Sequence, residues 1–458
     1  MFASIKKFGN RIAIEDENLG TFSYKNLCDL SNKIKKKILQ KNICLLVCDN
    51  NLESIIGYIA FMNTSNTVTI LIDQSFKNNF INKIISTYKP KYILAPKNMS
   101  FKNCFLEHKI KSYNLYKSNF KVETYIEYIN YLMLPTSGTT QSPKFVRLSK
   151  NNLIKNSKNI IETLNIKKNH TTITTMPMGY SYGLSIINTH LLSGSKIILN
   201  SKSIFEKEFW KKIINKNISS FGGVPEFYDY LKKIKFEKQN LSTIKYISQA
   251  GGKLEASTTR YLAKICKTKR IKMFKMYGQT EASPRISILH YNSFFKKKES
   301  VGKPLKGTSI KLLDKEGKII RKKNTIGQIL FHGDNVCLGY ANNIADLSKR
   351  DVNKKNILTG DLAYRDKDNF YYIVGRIKRI IKLFGIRMDM DDIENFMKKN
   401  KIICKCYSLG NKLVLKIENL KLEEKSRDIL SEYLGINKNY IIAELNETKS
   451  LKKMKLDK

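Results

Sequence analysis

The sequence of 458 residues has few cysteines and no long hydrophobic run, and these absences exclude several classes of protein. Eight cysteines are too sparse for a disulfide scaffold. The close pair Cys404 and Cys406 has no histidine nearby and a spacing unsuited to zinc. No stretch approaches the roughly 18 apolar residues of a membrane-spanning helix, and the first residues lack the pattern of a secretory signal. We therefore expect a protein of the reducing cytoplasm without a membrane span.

Acidic residues are also scarce: 39 Asp and Glu stand against 83 Lys and Arg, which gives a formal net charge of +44. Clustered basic residues would indicate nucleic acid or an anionic membrane as the partner. Here the basic residues are mostly lysines spread over the whole length, so nucleic acid is not expected as the ligand. A general positive field would instead attract an anionic cofactor or an acidic partner protein.

Hydrophobic residues make up 42% of the chain, and their pattern predicts an α/β fold. Short β-branched and aliphatic runs predict buried parallel strands, and longer stretches with apolar residues at helical spacing predict helices between them. The predicted strands are 43–47, 67–72, 92–94, 172–175, 196–199 and 245–248, and two clear helices are 24–39 and 52–63.

The pattern changes after about residue 300, where short strands joined by tight turns predict a small β-rich subdomain. These strands are 306–313, 327–332 and 370–375, with turns at 314–317 and 366–369. From about residue 377 a last α+β segment follows. Its predicted elements are a helix at 390–399, a strand at 413–417 and a helix at 423–434.

Residues 134–144, Leu-Pro-Thr-Ser-Gly-Thr-Thr-Gln-Ser-Pro-Lys, are the most informative segment. Five consecutive Thr, Ser and Gly residues after an apolar strand supply hydroxyl and N–H groups that can surround anionic oxygens, and no bulky side chain blocks their approach. Lys144 adds a positive charge. The spacing differs from the Gly-x-x-x-x-Gly-Lys-Ser/Thr phosphate loop. The composition alone leaves both a phosphate site and an ordinary exposed loop open.

This segment resembles the phosphate loop of the adenylate-forming enzymes, which include acyl-CoA synthetases, luciferases and the adenylation domains of peptide synthetases. Their loop reads Ser/Thr-Ser-Gly-Ser/Thr-Thr-Gly-x-Pro-Lys-Gly, and this chain departs from it at Gln141 and Phe145, where glycine is usual. Further motifs follow in the family's order over most of the chain, closest in pattern to acyl-CoA and acyl-carrier-protein synthetases. The resemblance implies the phosphate-binding residues Thr136, Ser137, Gly138, Thr139, Thr140 and Lys144.

Residues 276–281 match the family's Tyr-Gly-x-Thr-Glu motif. The resemblance implies that Tyr277 stacks on adenine, Thr280 binds the α-phosphate and Glu281 holds Mg²⁺. An aromatic face, a hydroxyl and a hard carboxylate suit these roles. Asp361, in a Thr-Gly-Asp turn, is implied to accept hydrogen bonds from both ribose hydroxyls. The implied nucleotide-binding residues are Gly251, Gly252, Lys253, Leu254, Tyr277, Gly278, Gln279, Asp361 and Arg376.

The resemblance also divides the chain. It implies a large N-terminal adenylation domain of parallel α/β sheets at 1–376, whose last part, about 300–376, is a small β-barrel-like subdomain. A small mobile α+β lid domain follows at 377–458. Lys378 occupies the family's hinge position, and Lys455, after Met454 in place of a glycine, takes the position of the catalytic lysine. The implied catalytic residues are Lys455, Thr280 and Glu281.

The implied reaction has two halves. A carboxylate attacks ATP to give an acyl-adenylate and pyrophosphate, and a thiol then displaces AMP to give a thioester. ATP and Mg²⁺ are the expected cofactors. The thiol would belong to CoA or to the phosphopantetheine of an acyl carrier protein that acts in trans, and an acidic carrier would suit the net charge of +44.

Residues 176–184 align with the acyl-CoA synthetase pattern Pro-Leu-Phe-His-x-Tyr-Gly-Leu, with Tyr180 at the usual histidine. Gly183 or an apolar neighbour stands where amino-acid-activating relatives carry an aspartate. A fatty, aryl or other unsubstituted carboxylic acid is therefore expected as the substrate. Core packing is an equally good explanation of Tyr180 and Tyr182. The implied substrate pocket comprises Tyr180, Tyr182, Gly183, Gly222, Gly223, Val224 and Pro225.

Three other functions stay open at this stage. Because Gln141, Met454 and Tyr180 depart from the family pattern, the chain could bind a nucleotide without catalysis. It could also be an amino-acid-activating ligase that loads a carrier protein. A nucleic-acid binder with the same fold is the third alternative, and its affinity for DNA would have to survive raised salt.

Overall fold

The computed structural model describes residues 1–39, 41–121, 126–127, 131–135, 144–377, 380–383, 386–410 and 412–445. These residues group into two compact units, the first ending at Val374 and the second beginning at Gly375. The roles assigned to residues 1–376 and 377–458 stay predictions. Within the described ranges, no helix is both long enough and apolar enough to cross a bilayer.

Helices and strands alternate along most of the chain. The helices are α1 (Tyr24–Lys35), α2 (Leu52–Asn63), α3 (Asn78–Tyr88), α4 (Lys150–Leu164), α5 (Ser181–Ser193), α6 (Lys207–Asn215), α7 (Pro225–Lys233), α8 (Ala256–Thr268), α9 (Tyr291–Phe294), α10 (Met390–Lys399) and α11 (Glu423–Leu434). Short 3-10 helices lie at Phe2–Phe8, Phe236–Lys238, Thr280–Ala282, Ile344–Ser348, Leu420–Leu422 and Lys438–Tyr440. The strands are β1 (Ile12–Asp16), β2 (Gly20–Ser23), β3 (Asn42–Cys48), β4 (Thr67–Asp73), β5 (Tyr92–Pro96), β6 (Cys104–Ile110), β7 (Tyr113–Ser118), β8 (Tyr131–Pro135), β9 (Phe145–Ser149), β10 (Thr171–Ile173), β11 (Lys196–Ile198), β12 (Ser220–Gly223), β13 (Tyr246–Gln249), β14 (Lys272–Gly278), β15 (Arg285–Leu289), β16 (Lys303–Pro304), β17 (Ser309–Leu313), β18 (Gly327–His332), β19 (Gly339–Ala341), β20 (Asn356–Arg365), β21 (Tyr371–Arg376), β22 (Ile380–Leu383), β23 (Ile386–Asp389), β24 (Cys404–Leu409), β25 (Lys412–Ile417) and β26 (Ile441–Leu445).

The largest sheet of the first unit carries most of the sequence motifs. Over the described residues it has nine strands in the order β16-β15-β14-β13-β12-β10-β11-β1-β2. The strands from β14 to β1 in that order run parallel, and antiparallel strands close both edges. Because parallel strands are connected by crossover helices, their carboxyl ends lie along one edge of the sheet.

A second sheet packs against the first through shared helices. Its order over the described residues is β19-β9-β8-β4-β3-β5-β7-β6, and β8, β4, β3 and β5 run parallel. Helix α2 is buried along almost its whole length and belongs to the same hydrophobic cluster as residues of β3 and β11. The helix therefore packs on β3 and β4 of the second sheet and belongs to the core that the two sheets share. Its cap residue Asn51 starts it by accepting a hydrogen bond from the Ser54 N–H at 2.8 Å.

The predicted β-rich region after about residue 300 corresponds to a sheet with the order β17-β18-β20-β21. The pairs β17/β18 and β18/β20 are antiparallel. Both predicted turns are stabilised by an aspartate. The Asp314 carboxylate accepts the Lys318 N–H at 2.8 Å, and the Asp366 carboxylate accepts the Phe370 N–H at 2.9 Å.

The second unit has a hydrophobic core of its own. It contains the hairpin β22–β23, the helices α10 and α11, and the sheet β24-β25-β26, in which β24 is antiparallel and β26 parallel to β25. Met397, Leu415 and Leu430 are among the buried residues of this core. A separate core explains why these residues form a compact unit.

The predicted α/β fold is confirmed. All six predicted strands are strands, with ends shifted by no more than two residues, and helices α2, α10 and α11 have the predicted bounds. Helix α1 ends at Lys35 rather than at the predicted residue 39, because Ile38 reaches the core from a turn. Antiparallel strands complete both large sheets at their edges.

Arg147 joins the second sheet to the segment that follows β19. The side chain is fully buried on β9 and donates hydrogen bonds to the backbone carbonyls of Leu338 and Arg350, each at 3.2 Å, and of Lys349. Carbonyl oxygens thus surround this buried guanidinium in place of a carboxylate. Its role is structural.

We expect Arg147→Met to lower the free energy of unfolding by about 2–4 kcal/mol, because carbonyl oxygens lose charge-assisted hydrogen bonds inside the protein. Denaturant unfolding measures the change. Arg350→Ala is the matched control, since its side chain is 84% exposed and should cost less than about 0.5 kcal/mol. Equal losses for the two variants would contradict the structural role of Arg147.

Candidate active site

Three predicted turns follow neighbouring parallel strands of the nine-stranded sheet. Strand β12 ends at Gly223, β13 at Gln249 and β14 at Gly278. In the strand register Gly223 lies opposite Gln249. Because the carboxyl ends of parallel strands share one edge, the substrate-pocket turn, the glycine turn at 250–252 and the Tyr-Gly-x-Thr-Glu turn lie side by side.

Tyr277 and Asp361, predicted to face adenine and ribose, are in contact. The Tyr277 hydroxyl donates to Asp361 Oδ2 at 2.5 Å, although 84 residues separate them. Tyr277 lies on β14 and Asp361 on β20, so this bond joins two sheets. Thr359 Oγ1 accepts the Asp361 N–H at 3.1 Å, and Gly360 between them has a φ of 75°, a left-handed conformation that favours glycine. The Thr-Gly-Asp turn therefore presents a buried carboxylate to Tyr277.

Thr280 lies in the 3-10 helix after β14 and contacts the beginning of α5. Its hydroxyl is 3.2 Å from the hydroxyl of Ser181, the first residue of that helix. Tyr180 precedes Ser181 as the N-cap residue, and burial together with the nearby Asp73 raises the pKa of its phenol. The free N–H groups of the first helical turn add a partial positive charge beside Thr280.

Glu281 and Lys144 both contact Tyr340 on β19. The Tyr340 hydroxyl donates to Glu281 Oε1 at 3.0 Å, and Lys144 Nζ lies 4.0 Å from the centroid of the Tyr340 ring. Strand β19 pairs with β9, and Lys144 immediately precedes β9. The structure thus brings the last residue of the predicted phosphate loop close to the predicted metal-binding carboxylate.

A metal ion at this position would depend on Glu281. Nowhere in the described part of the chain do three or more His, Cys, Asp or Glu side chains form a metal-binding group. Mg²⁺ is commonly bound by one or two carboxylates together with substrate phosphates and water, so a single buried carboxylate fits an ion that arrives with a nucleotide. The donor set does not suit a permanently bound zinc.

The glycine turn after β13 packs on the first residue of α7. The Gln249 side-chain amide donates to the Gly252 carbonyl at 2.8 Å, which closes the turn. A Cβ atom at Gly252 would lie 2.9 Å from Pro225 Cγ. The residues that follow differ in exposure: Lys253 is exposed and Leu254 is buried. The turn therefore has a fixed position beside the end of β12.

A small cavity lies beneath these turns and includes Tyr182 and Gly222 of the predicted substrate pocket. The Tyr182 hydroxyl donates to the Ser248 carbonyl at 2.8 Å, and burial raises the pKa of this phenol. A Cβ atom at Gly222 would lie 2.5 Å from the Tyr182 hydroxyl. The cavity has a volume of about 20 Å³. It is also lined by Ile186, Phe221, Tyr246, Ser248, Met276 and Arg285.

Other predicted pocket residues do not line this cavity. Gly183 faces the Pro177 carbonyl, where a Cβ atom would lie 2.1 Å from the oxygen. Gly223, Val224 and Pro225 form the end of β12 and the beginning of α7. Gln279, from the nucleotide-binding set, is the buried cap residue of the 3-10 helix that contains Thr280.

Several predicted site residues lie outside the described residues. Arg376, by contrast, lies within the described residues: it is the last residue of β21, in the second unit. The predicted site residues outside the described ranges are Thr136, Ser137, Gly138, Thr139, Thr140, Lys378 and Lys455. Gln141 and Met454, which depart from the family pattern, also lie outside these ranges.

A comparison with protein families agrees with this geometry. The sequence pattern of the AMP-binding enzyme family matches residues 1–341, about three quarters of the chain. The chain belongs to this family. The predicted resemblance to adenylate-forming enzymes is therefore confirmed.

Named relatives within the AMP-binding enzymes include CoA ligases. An oxalate–CoA ligase of Saccharomyces cerevisiae is 26% identical over 283 residues, which cover 61% of this chain and 50% of that protein. A 2-succinylbenzoate–CoA ligase of Oceanobacillus iheyensis is 25% identical over 397 residues, which cover 84% of this chain and 80% of that protein. The matching region thus spans about half the length of the yeast relative.

The fold is similar to that of solved structures in the same family. The o-succinylbenzoate CoA synthetase of Bacillus subtilis aligns with a TM-score of 0.76 and 17% identity, over 97% of this chain and 94% of that protein. The similarity includes both the large sheet-rich N-terminal part and the smaller C-terminal part.

The AMP-binding family usually has glycine at the position of Phe145, and the structure explains how the larger residue is accommodated. The Phe145 side chain is fully buried at the beginning of β9. Its ring makes an edge-to-face contact with Tyr88 at a centroid distance of 5.5 Å. This departure therefore extends the core behind the second sheet.

Two residues of the site were missed in the sequence. Tyr340 lies in a short strand whose pairing with β9 is not visible in the local pattern. The sequence gives only a weak indication that Arg285 belongs to the site: this charged residue begins the mostly apolar strand β15, four residues after Glu281. Its contacts with Tyr182 and Ser185 depend on the fold.

We expect Gly222→Ala to displace Tyr182, because the new methyl group would overlap its hydroxyl and break the bond to the Ser248 carbonyl. The cost in stability should be about 1–3 kcal/mol, as is usual for overpacking. Thermal or denaturant unfolding measures it. Gly375→Ala is the control, since a Cβ atom there meets nothing within 4 Å. If both variants unfold alike, Gly222 does not have this packing role.

Proposed function

We propose that this chain activates a carboxylic acid with ATP and transfers the acyl group to a thiol. In the first half-reaction a carboxylate oxygen attacks the α-phosphorus, and pyrophosphate leaves with its electron pair. In the second, a thiolate sulfur attacks the acyl carbon of the adenylate, AMP leaves, and the thiol proton goes to solvent. The product is a thioester.

The contact between Tyr277 and Asp361 is the observation that carries this proposal. It brings an aromatic face and a buried carboxylate together beside the glycine turn, as binding of an adenine and its ribose requires. The Asp361 carboxylate can accept hydrogen bonds from both ribose hydroxyls, and the hydrogen bond from the Tyr277 hydroxyl holds this carboxylate in place. Family membership supports the same ligand.

The residues around Tyr340 are suited to the phosphates. Lys144 and the Thr280 hydroxyl would bind phosphate oxygens and hold them in line for attack, which offsets the repulsion between two anions. Glu281 would hold Mg²⁺, which neutralises phosphate charge when it is bound. Tyr340 would orient the Glu281 carboxylate through its hydrogen bond.

The thiol acceptor is proposed to be CoA or the phosphopantetheine of an acyl carrier protein. The names of the relatives, oxalate–CoA ligase and 2-succinylbenzoate–CoA ligase, support CoA. CoA and typical carrier proteins are both anionic, so a chain with a net charge of +44 would attract either.

Exchange of labelled pyrophosphate into ATP, measured with a panel of carboxylic acids, tests the activation step. Mass spectrometry of the acyl-adenylate then identifies the acid. We expect Asp361→Ala to raise the KM for ATP about 10- to 100-fold, because hydrogen bonds from ribose to a charged group are lost. Tyr277→Phe is the matched variant, because it keeps the ring and should have a smaller effect.

Exchange without any response to carboxylic acids, or an unchanged KM for ATP in Asp361→Ala, would contradict the proposal. Nucleotide binding with no exchange for any acid would instead support the alternative of a binding protein without ligase activity.

Lys455 is proposed to act in the first half-reaction alone. We expect Lys455→Ala to abolish adenylate formation and to leave thioester formation from supplied acyl-adenylate within about threefold of the unmodified enzyme, because only the first step brings two anions together. The two half-reactions are assayed separately. Lys452→Ala, from the same basic segment, should change neither. Equal loss of both half-reactions in Lys455→Ala would show that the lysine has no step-specific role.

A further inference from the structure

Arg285 is a buried cation whose charge is not matched by a carboxylate. Its side chain lies at the beginning of β15 with 3% exposure. Nε points to the Met276 sulfur at 3.3 Å, Nη2 donates to Ser185 Oγ at 3.2 Å, and the guanidinium lies 4.4 Å from the centroid of the Tyr182 ring. Among the described residues, no Asp or Glu is within ion-pair distance of it. Burial of a charge without a partner of opposite charge is costly, so this arrangement favours binding of an anionic ligand.

A comparison with Arg147 shows that the contacts of Arg285 are unusual in this chain. Arg147 is equally buried, but backbone carbonyls accept its hydrogen bonds. Arg285 has five N–H donors, and its described partners are one thioether and one hydroxyl. Burial lowers the pKa of Arg285 to about 10, so it stays charged at neutral pH. A structural role alone does not require a cation with such weak acceptors.

The cavity that Arg285 faces is lined mainly by apolar side chains, with several hydroxyl groups among them. The Ser220 hydroxyl lies beside the Tyr246 phenol, and its residue is 1% exposed. Ser248 and His190 also line the cavity. Its volume of about 20 Å³ is enough for one water molecule. Apolar side chains suit the hydrocarbon part of an acid, and Arg285 is the charged group that its far end would meet.

Helix α5 gives the distance between the two ends of the site. Ser181 contacts Thr280, which is proposed to face the α-phosphate, and Ser185 contacts Arg285. The two serines are four residues apart, or about 6 Å along the helix. An acid that reacts near Thr280 can therefore reach Arg285 with only a few carbon atoms.

We propose that Arg285 binds a second carboxylate of the substrate, so that the acid which this site activates is a short dicarboxylic acid. This inference rests on the proposed ligase function. The distal carboxylate pairs with the guanidinium and accepts a hydrogen bond from the Ser220 hydroxyl. The flexible Met276 side chain moves to make room for this carboxylate. Arg285 is thus a specificity-determining residue for the acid.

Pyrophosphate exchange with matched acid pairs tests the inference. Succinate is compared with butyrate, glutarate with valerate and adipate with hexanoate, because each pair differs only in the distal group. We expect kcat/KM to favour the dicarboxylic acid at least about 30-fold for one or more pairs, since a site built for a charged group rejects an analogue that lacks it. Arg285→Met should reverse the preference and keep exchange with the monocarboxylic acid, whereas Arg285→Lys should keep part of it.

A preference for the monocarboxylic acid in every pair, or a preference for the dicarboxylic acid that survives in Arg285→Met, would overturn the inference and leave the ligase function intact. If no acid supports exchange, the ligase function fails, and calorimetric titration with the same pairs decides the role of Arg285. Dicarboxylate binding that is lost in Arg285→Met would support it. Equal binding of both acids, or no binding of either, would refute it. Thermal unfolding confirms that each variant is folded.

Discussion

The hydrogen bond between Tyr277 and Asp361 is the constraint on which the geometry of the site depends. The two residues belong to different sheets, so the bond sets where the small antiparallel sheet lies at the edge of the large parallel one. Without this contact, an aromatic residue at the end of β14 and a carboxylate on β20 would be two unrelated features of the fold. With it, they form one wall of the proposed nucleotide site.

Helix α5 contacts both Thr280, which is proposed to face the α-phosphate, and Arg285, which is proposed to bind the far end of the acid. Its first serine contacts Thr280 and its second contacts Arg285, so one rigid element fixes the two residues that are proposed to bind the reacting end and the far end of the acid. A helix holds such a distance better than a loop, because its backbone hydrogen bonds are satisfied internally. In the proposed function, selection of the acid by length would therefore follow from the backbone of α5.

Much of the fold and the nucleotide-binding motifs could be predicted from the sequence, because buried parallel strands are nearly continuous apolar runs and the motifs keep their order. Strand β6 could not be predicted in this way, since its adjacent Phe105 and Leu106 are exposed at the sheet edge and three polar residues follow them. Tyr340 and Arg285 were missed for a different reason. Their partners are more than fifty residues away or on another element, and local pattern carries no information about such pairing.

The burial of α2 has a consequence for how the first unit folds. One side of this apolar helix packs on β3 and β4 of the second sheet, and its other side is covered by α1, by the N-terminal 3-10 helix and by α5, where Asn188 forms a hydrogen bond with Tyr58. An N-terminal fragment that ends before α5 would leave part of this apolar surface exposed and prone to self-association. Complete burial of α2 therefore requires α5, which lies more than a hundred residues later in the chain.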